Sequence, residues 1–582
     1  MMRWLVPALL PWAAGAAWAA SLTVKIEGLP KELTEAVEGQ LTLQNYANRD
    51  VTPAQVRRLF NNAESELRTA LEPYGYYNAQ VSSTLQTTDK ELTALFRVTP
   101  GEQVKVVSKK VTVEGEAAQL APIQRAIRRF KPDEGEPLDH GVYEQSKADL
   151  EAALLNNGFL KMQPTRKPRV EVTRKANTAT IDLDYQSGPR MKFGPVHFAG
   201  GQFRPEFLDR YIPWEPDQYY SPDDVLALQQ RLVDADYFAT VAVQPDLKHV
   251  EGLEVPINVE LSPAKPSIYT AGAYISTDTG PGVKFGVQRR WINDSGHKFQ
   301  FDIDYAQRLQ SASASYRVPL PGADDKSLNF GVTHRKEDTD TSTSKNDRLA
   351  INETRKWYGF TRTVGLQYLA GTYTIAEENG DTRLLYAEAT LTKKKAQDFF
   401  FPRRGWSLGF AVRFAPESLL SDTSFTQVTA DAKYIYPLGR RQRLLVRLSL
   451  GTMVVGNFDK LPPELRFFAG GDRSIRGFDY EGLGSTRPDS PNTKDFVIGG
   501  TNLAVGSVEF ERYFLPKWGA AVFVDGGDAW RAQDFGLNIG VGIGLRWRSP
   551  VGVLRLDVGK PVQTKLDEAG SFRLHVTLGP DL

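Results

Sequence analysis

Residues Phe535–Pro550 read FGLNIGVGIGLRWRSP, an alternation of period two. Leu537, Ile539, Val541, Ile543, Leu545 and Trp547 fall on one face, and Asn538, Gly540, Gly542, Gly544, Arg546 and Arg548 on the other. Successive side chains of a strand point to opposite faces, so this is one β-strand with a continuous apolar side. A water-soluble sandwich also alternates, but its polar face is not normally a row of glycines ending in two arginines. Small residues that leave room and arginines that meet water suit the lumen of a barrel whose outer face meets lipid.

The same texture fills residues 265–582. Leu554, Leu556 and Val558 alternate with Val553, Arg555 and Asp557, and Phe572, Leu574, Val576 and Leu578 with Arg573, His575 and Thr577. Strands are expected near 268–276, 283–292, 296–306, 310–318, 327–337, 347–360, 363–376, 382–393, 404–415, 423–436, 441–456, 500–512, 517–529, 536–548, 551–560 and 571–579. An even number keeps both ends of a bacterial barrel in the periplasm. Backbone groups in lipid must all be paired, so the sheet closes. The expected fold is a 16-stranded antiparallel transmembrane β-barrel preceded by α+β domains.

Residues 21–264 repeat one pattern three times: a helical run, an aromatic corner, then a strand ending at Pro or Gly. The corners are Tyr74-Gly75-Tyr76-Tyr77, Gly158-Phe159 and Tyr237-Phe238. Leu150, Leu154 and Leu155 have helical spacing, and Ser221 caps a helix whose first turn holds Pro222. Domains are expected at 21–101, 102–188 and 189–264, ahead of a barrel at 265–582. At the N-terminus, Arg3, the apolar run Trp4–Ala14 and the small residues Ala17 and Ala19 predict a secretory signal over residues 1–20, cleaved near 19 or 20. The apolar run is shorter than the roughly 20 residues a membrane-spanning helix needs.

Lys+Arg 71 against Asp+Glu 70 leaves no bulk field for nucleic acid. The absence of cysteine excludes disulfides, thiolate catalysis and cysteine-held zinc. Six scattered histidines, with no HExxH motif, nucleophile elbow or carboxylate dyad, predict no enzyme, no metal and no cofactor.

The longest connection of the barrel half, about 458–499, holds GGDRSIRGF at Gly470–Phe478. Such a loop can cradle phosphate, but this one lacks the Lys-Ser/Thr ending and following helix of a P-loop. Alternation turns Trp518, Ala520, Val522 and Val524 outward and therefore Asp525 inward; outward Val508 and Phe510 do the same for Glu509. An inward carboxylate favours a bidentate guanidinium, which makes Asp525, with Glu509 as a second acid, a candidate partner for an arginine of this loop. Asp472 and Arg473 receive no partner from this reasoning.

These residues carry a resemblance. The threefold repeat resembles the polypeptide-transport-associated (POTRA) domains of the BamA/TamA outer-membrane assembly superfamily. Ser474-Ile475-Arg476-Gly477-Phe478 is similar to the [VI]RG[FY] signature of that superfamily's sixth extracellular loop, and FVDGGDAW, SVEFER and GLRWRSPVGVLRLDVGKP are similar to its last strands. The resemblance implies that Arg476, Gly477 and Phe478 form an in-folded latch with Asp525 and Glu509. BamA-like members carry five POTRA domains and two-partner secretion transporters two; three, with a C-terminus of HVTLGPDL, resemble the TamA branch. It further implies a TamB-like, inner-membrane-anchored periplasmic partner at the POTRA arm, unfolded outer-membrane proteins including autotransporters as clients, contact with outer-membrane lipid, and an insertase function. The lateral seam is expected where Tyr269–Ser276 meets Phe572–Gly579, with Ala273 near Val576 and with Gly579 and Pro580 weakening the last strand. The alternative is a polypeptide secretion pore of the two-partner type.

Overall fold

The computed structural model describes residues 20–47, 49–87, 91–322, 325–376, 378–398, 401–418, 420–487, 496–550, 552–565, 571–579 and 581. The expected signal, up to residue 19, and Pro580 lie outside the described residues. The chain forms two compact units: residues 1–197, 214–227 and 243–258, and residues 198–213, 228–242 and 259–582. The boundary expected at 264/265 falls inside the second unit.

In the first unit, strand Ala20–Glu27 pairs in parallel with Glu91–Thr99, whose other edge carries Gln80–Thr87 antiparallel. Helix Pro53–Leu71 packs Val56, Ala63 and Leu67 into a core with Leu22, Ala94 and Phe96. Residues 105–186 repeat this plan: Lys105–Glu114 runs parallel to Thr178–Gln186. Helix His140–Leu155 there buries Leu150 and Leu154 against Ile181 and Leu183. Its first turn is capped by the Asp139 carboxylate, which accepts the Val142 N–H. Burial alternates strictly along Thr178–Gln186, so one sheet face lies under the helices as the period predicts.

The second unit contains a closed barrel of sixteen antiparallel strands. They are β1 Ser267–Ser276, β2 Gly280–Arg289, β3 Lys298–Ala306, β4 Leu309–Pro319, β5 Ser327–Asp338, β6 Ser342–Trp357, β7 Phe360–Ile375 and β8 Glu378–Ala396. The second half is β9 Gly405–Ala415, β10 Phe425–Pro437, β11 Gln442–Val455, β12 Asn502–Tyr513, β13 Trp518–Trp530, β14 Asn538–Ser549, β15 Gly552–Gln563 and β16 Arg573–Gly579. The expected break between the sixth and seventh strands is corrected from 360–363 to Tyr358-Gly359. Both residues have positive φ, 47° and 76°, and so make a two-residue turn that pairs Trp357 with Phe360.

Val508, Val522, Val524 and Ile543 are exposed on the outer face. Near the turns that lead β6 into β7, β10 into β11 and β12 into β13 lie outward Trp357, Tyr434, Tyr436 and Trp518, the residue types that anchor a barrel at the membrane interface. Among the described residues no helix is long and apolar enough to cross a membrane.

Much of the connection from β11 to β12, among its described residues, folds into the barrel. Leu461, Leu465, Phe467, Ile475, Phe478 and Leu483 join one buried apolar cluster with Leu384 and Tyr386 of β8, Phe425 of β10 and Val505 of β12. Burying side chains on this scale fixes the loop in the lumen.

Candidate functional site: a guanidinium latch in the lumen

Four neighbouring strands set the geometry. The ladder places Ser507 opposite Asp525 and Asp525 opposite Gly540, while Asp557 of β15 stands opposite Gly544, further along β14 on the same inward face. The glycines of β14 leave the wall thin there, and the loop occupies that space. A Cβ at Gly540 would lie 1.9 Å from the Arg476 carbonyl oxygen, and one at Gly559 2.7 Å from the Gly477 nitrogen. Gly477 itself has φ +99°, a conformation that L side chains rarely adopt.

Arg476 is buried at 2% exposure. Its Nε donates to Asp525 Oδ2 at 2.7 Å and its Nη2 to Asp525 Oδ1 at 3.0 Å, the bidentate fork, while its backbone N–H also donates to Oδ2 at 3.0 Å. Nη1 donates to Glu509 Oε2 at 2.7 Å and Asp557 Oδ2 at 3.0 Å. The guanidinium carbon stands 3.4 Å from the centroid of the Phe523 ring, a close cation–π contact. Burial alone presses the pKa of Arg476 down, but Asp525, Glu509 and Asp557 outweigh it and hold it above the usual value.

The network continues beyond the loop. Arg546 donates to Glu509 Oε1 at 2.6 Å, Glu511 Oε1 at 3.1 Å and Asp557 Oδ1 at 2.5 Å, and Arg443 donates to Glu511 Oε2 at 2.6 Å. Arg447 donates to the Arg473 carbonyl at 2.5 Å and stands 3.9 Å from Asp525. Arg443, Arg447, Arg476 and Arg546 thus face Glu509, Glu511, Asp525 and Asp557, and Asp581, which meets both Arg443 and Arg555, extends the network so that positive and negative charges alternate through it. Such balance is what lets charge persist in a buried site, because an unpaired member would carry its full desolvation cost.

The structure brings Arg476, Gly477, Asp525 and Glu509 together, and Phe478 anchors the same turn in the apolar cluster. Sequence reasoning missed Asp557 and Arg546 as members, although both lie on inward faces already recognised by alternation. Arg473 is exposed and Asp472 is buried. At the seam, Ala273 and Val576 are not opposite: Val576 lies beside Thr277, whose N–H donates to its carbonyl at 3.3 Å. The single seam pair is Ser276 with Thr577, among the described residues, so the stagger is larger than expected. Gly579 pairs with Val553 of β15.

Comparison with known proteins agrees with this architecture. The Omp85 superfamily domain matches residues 252–581, and the description "POTRA domain TamA domain 1" matches residues 23–100. The outer membrane protein assembly factor BamA of Nitratidesulfovibrio vulgaris is 24% identical over 372 residues, 60% of this chain; the chain spans about half of that relative, 46% of its length. The crystal structure of Haemophilus ducreyi BamA lacking POTRA domains 1–3 overlays with a TM-score of 0.66 at 16% identity, covering 82% of this chain and 99% of the other. CdiB from Escherichia coli overlays with a TM-score of 0.49 at 12% identity, covering 95% and 99%. With more than half its length in the superfamily domain and a closed sixteen-strand barrel behind a POTRA domain, the chain belongs to the Omp85 superfamily, a barrel of the bacterial outer membrane with its POTRA domains in the periplasm.

Proposed function

We propose that the chain is a non-enzymatic insertase that receives unfolded outer-membrane β-barrel clients, autotransporters among them, at the seam between β1 and β16. The observation that carries this reading is the seam itself. β1 pairs with β2 from Ser267 to Ser276, yet meets β16 at one residue pair among the described residues. Unpaired strand edges are templates for an incoming strand. The same edge borders lipid, and burial of a client's apolar outer face favours insertion without a nucleotide. The in-folded loop is common to this reading and to the secretion-pore alternative, so the choice between them rests on the seam.

The TamA branch and a TamB-like partner at the POTRA arm belong to the same proposal. Their support is the match of residues 23–100 to the first TamA-type POTRA domain. A disulfide between Ser276→Cys and Thr577→Cys, placed in a chain without other cysteines, tests the gate. Client assembly into proteoliposomes is expected to stop on oxidation and return on reduction. Assembly that proceeds through the oxidised seam overturns the lateral-gate reading.

A further inference from the structure

The loop touches the seam as well as the opposite wall. Asp472 Oδ2 accepts the Ser276 hydroxyl of β1 at 2.9 Å, and its Oδ1 accepts the Thr277 hydroxyl at 2.5 Å. On the other side of the seam, His575 Nδ1 of β16 lies 2.7 Å from the same Oδ1. The Asp472 backbone N–H donates to both oxygens of Asp278 at 3.1 and 3.0 Å. Two further ties hold the loop to β16: the Gly477 N–H donates to His575 Nε2 at 2.9 Å, and Arg573 Nη2 donates to Asp479 Oδ2 at 2.6 Å. One carboxylate therefore holds the hydroxyls of Ser276 and Thr277, at the end of β1, and a β16 imidazole at once.

The remaining direct contact is sparse and partly dependent on that carboxylate. The Thr277 N–H donates to the Val576 carbonyl at 3.3 Å, and the Val576 N–H donates at 3.3 Å to the Thr277 hydroxyl that itself donates to Asp472. The carboxylate fixes the direction of the Thr277 O–H and leaves its lone pair facing Val576. Asp278, Asp472 and His575 also place donor atoms within 4.8 Å of one another. A metal is nevertheless a poor occupant. Because His575 Nε2 accepts a backbone N–H, the proton of the neutral ring sits on Nδ1 and is donated to Asp472, so the ring offers no lone pair to a cation between the carboxylates.

We propose that Asp472 is a clasp across the β1–β16 seam, replacing the missing ladder with hydrogen bonds to both edges, so that the barrel cannot part there until Asp472 lets go of one side. The inference deepens the gate reading and rests on it for its functional meaning. Arg476 anchors the loop to β12–β15, and Asp472 uses that anchored loop to hold β1 to β16.

Ile275→Cys and Leu578→Cys, one step from the Ser276–Thr577 pair in the same register, report seam closure through the yield of a copper-catalysed disulfide. In an otherwise unaltered chain the pair is expected to cross-link efficiently. Asp472→Ala is expected to lower the yield at least threefold while the barrel remains heat-modifiable and the loop remains resistant to external protease. Asp472→Asn, which keeps an acceptor for one edge, is expected to fall between. An unchanged yield in a folded Asp472→Ala barrel overturns the clasp, as does a yield that collapses on chelation of divalent cations in the unaltered background. Because cross-linking reads the seam alone, client assembly that proceeds through the oxidised seam, together with an intact Asp472 effect, refutes the gate and leaves the clasp standing.

Discussion

The loop from β11 to β12 meets two walls of one barrel in different ways. Against β12–β15 it sets a guanidinium among three carboxylates, sealed by an aromatic ring and by glycines that yield space. Against the β1–β16 seam it offers one carboxylate to two hydroxyls and an imidazole, where the strands share a single pair among the described residues. The first arrangement is costly to disrupt because every charge removed strands its partners in a low-dielectric site. The second consists mainly of hydrogen bonds worth about 1 to 3 kcal/mol each, which are made and broken readily. A fixed end and a releasable end on one loop are what a regulated closure needs.

The contrast predicts a graded series. Arg476→Ala strands Asp525 and is expected to cost the loop about 3–5 kcal/mol of anchoring, the range for breaking a buried ion pair. Protease added to intact cells should then cut between residues 458 and 499 while the barrel stays heat-modifiable. Equal protection would place the anchor elsewhere. Gly540→Leu should loosen the same end less, by about 1–3 kcal/mol, because overpacking can be absorbed in part by backbone shifts. Its Cβ would start 1.9 Å from the Arg476 oxygen, so cleavage should rise to a level between wild type and Arg476→Ala.

The smallest effect belongs to the seam and to pH. Asp278 lies in the turn after β1, where burial and then the negative charge of Asp472 push its pKa up to about 7; His575 and Tyr480 are its other titratable neighbours. In the unfolded chain an aspartate titrates near about 3.9. Between those values the folded protein keeps a proton that the unfolded one releases, so this contribution to stability falls as pH rises through the window and is fully lost above 7. Seam cross-linking of Ile275→Cys with Leu578→Cys should therefore weaken from pH 6 to pH 8, relative to a matched Asp278→Asn background measured at each pH. A constant ratio would remove Asp278 from the clasp.

Alternation made much of this legible. Sixteen strands and the inward turn of Asp525 and Glu509 follow from faces, the in-folded loop follows from the resemblance of its SIRGF stretch, and the row of glycines in β14 proved to be the seat of Arg476. Faces carry no information about stagger, however. Ala273 and Val576 each sit on a seam strand, but the register that pairs Ser276 with Thr577 is set by closure of the whole barrel and is absent from any one strand. The partners of Asp472 were hidden for the same reason: Ser276 and Thr277 lie 196 and 195 residues away from it, and only closure of the sheet brings them beside His575. The Tyr358-Gly359 turn was misplaced because the polar texture of β6 continues into β7 without a proline or an Asn-Gly pair to mark the reversal.

The apolar cluster inside the barrel bears on a different property, electrical leakage. Sixteen strands are enough to enclose an aqueous channel. Here Leu461, Phe467, Ile475 and Phe478 stand where ions would pass, packed against Leu384 and Tyr386. Reconstituted in a planar bilayer, the closed protein should conduct far less current than an open barrel of its circumference, so a cell that carries it keeps its permeability barrier while the machine is idle.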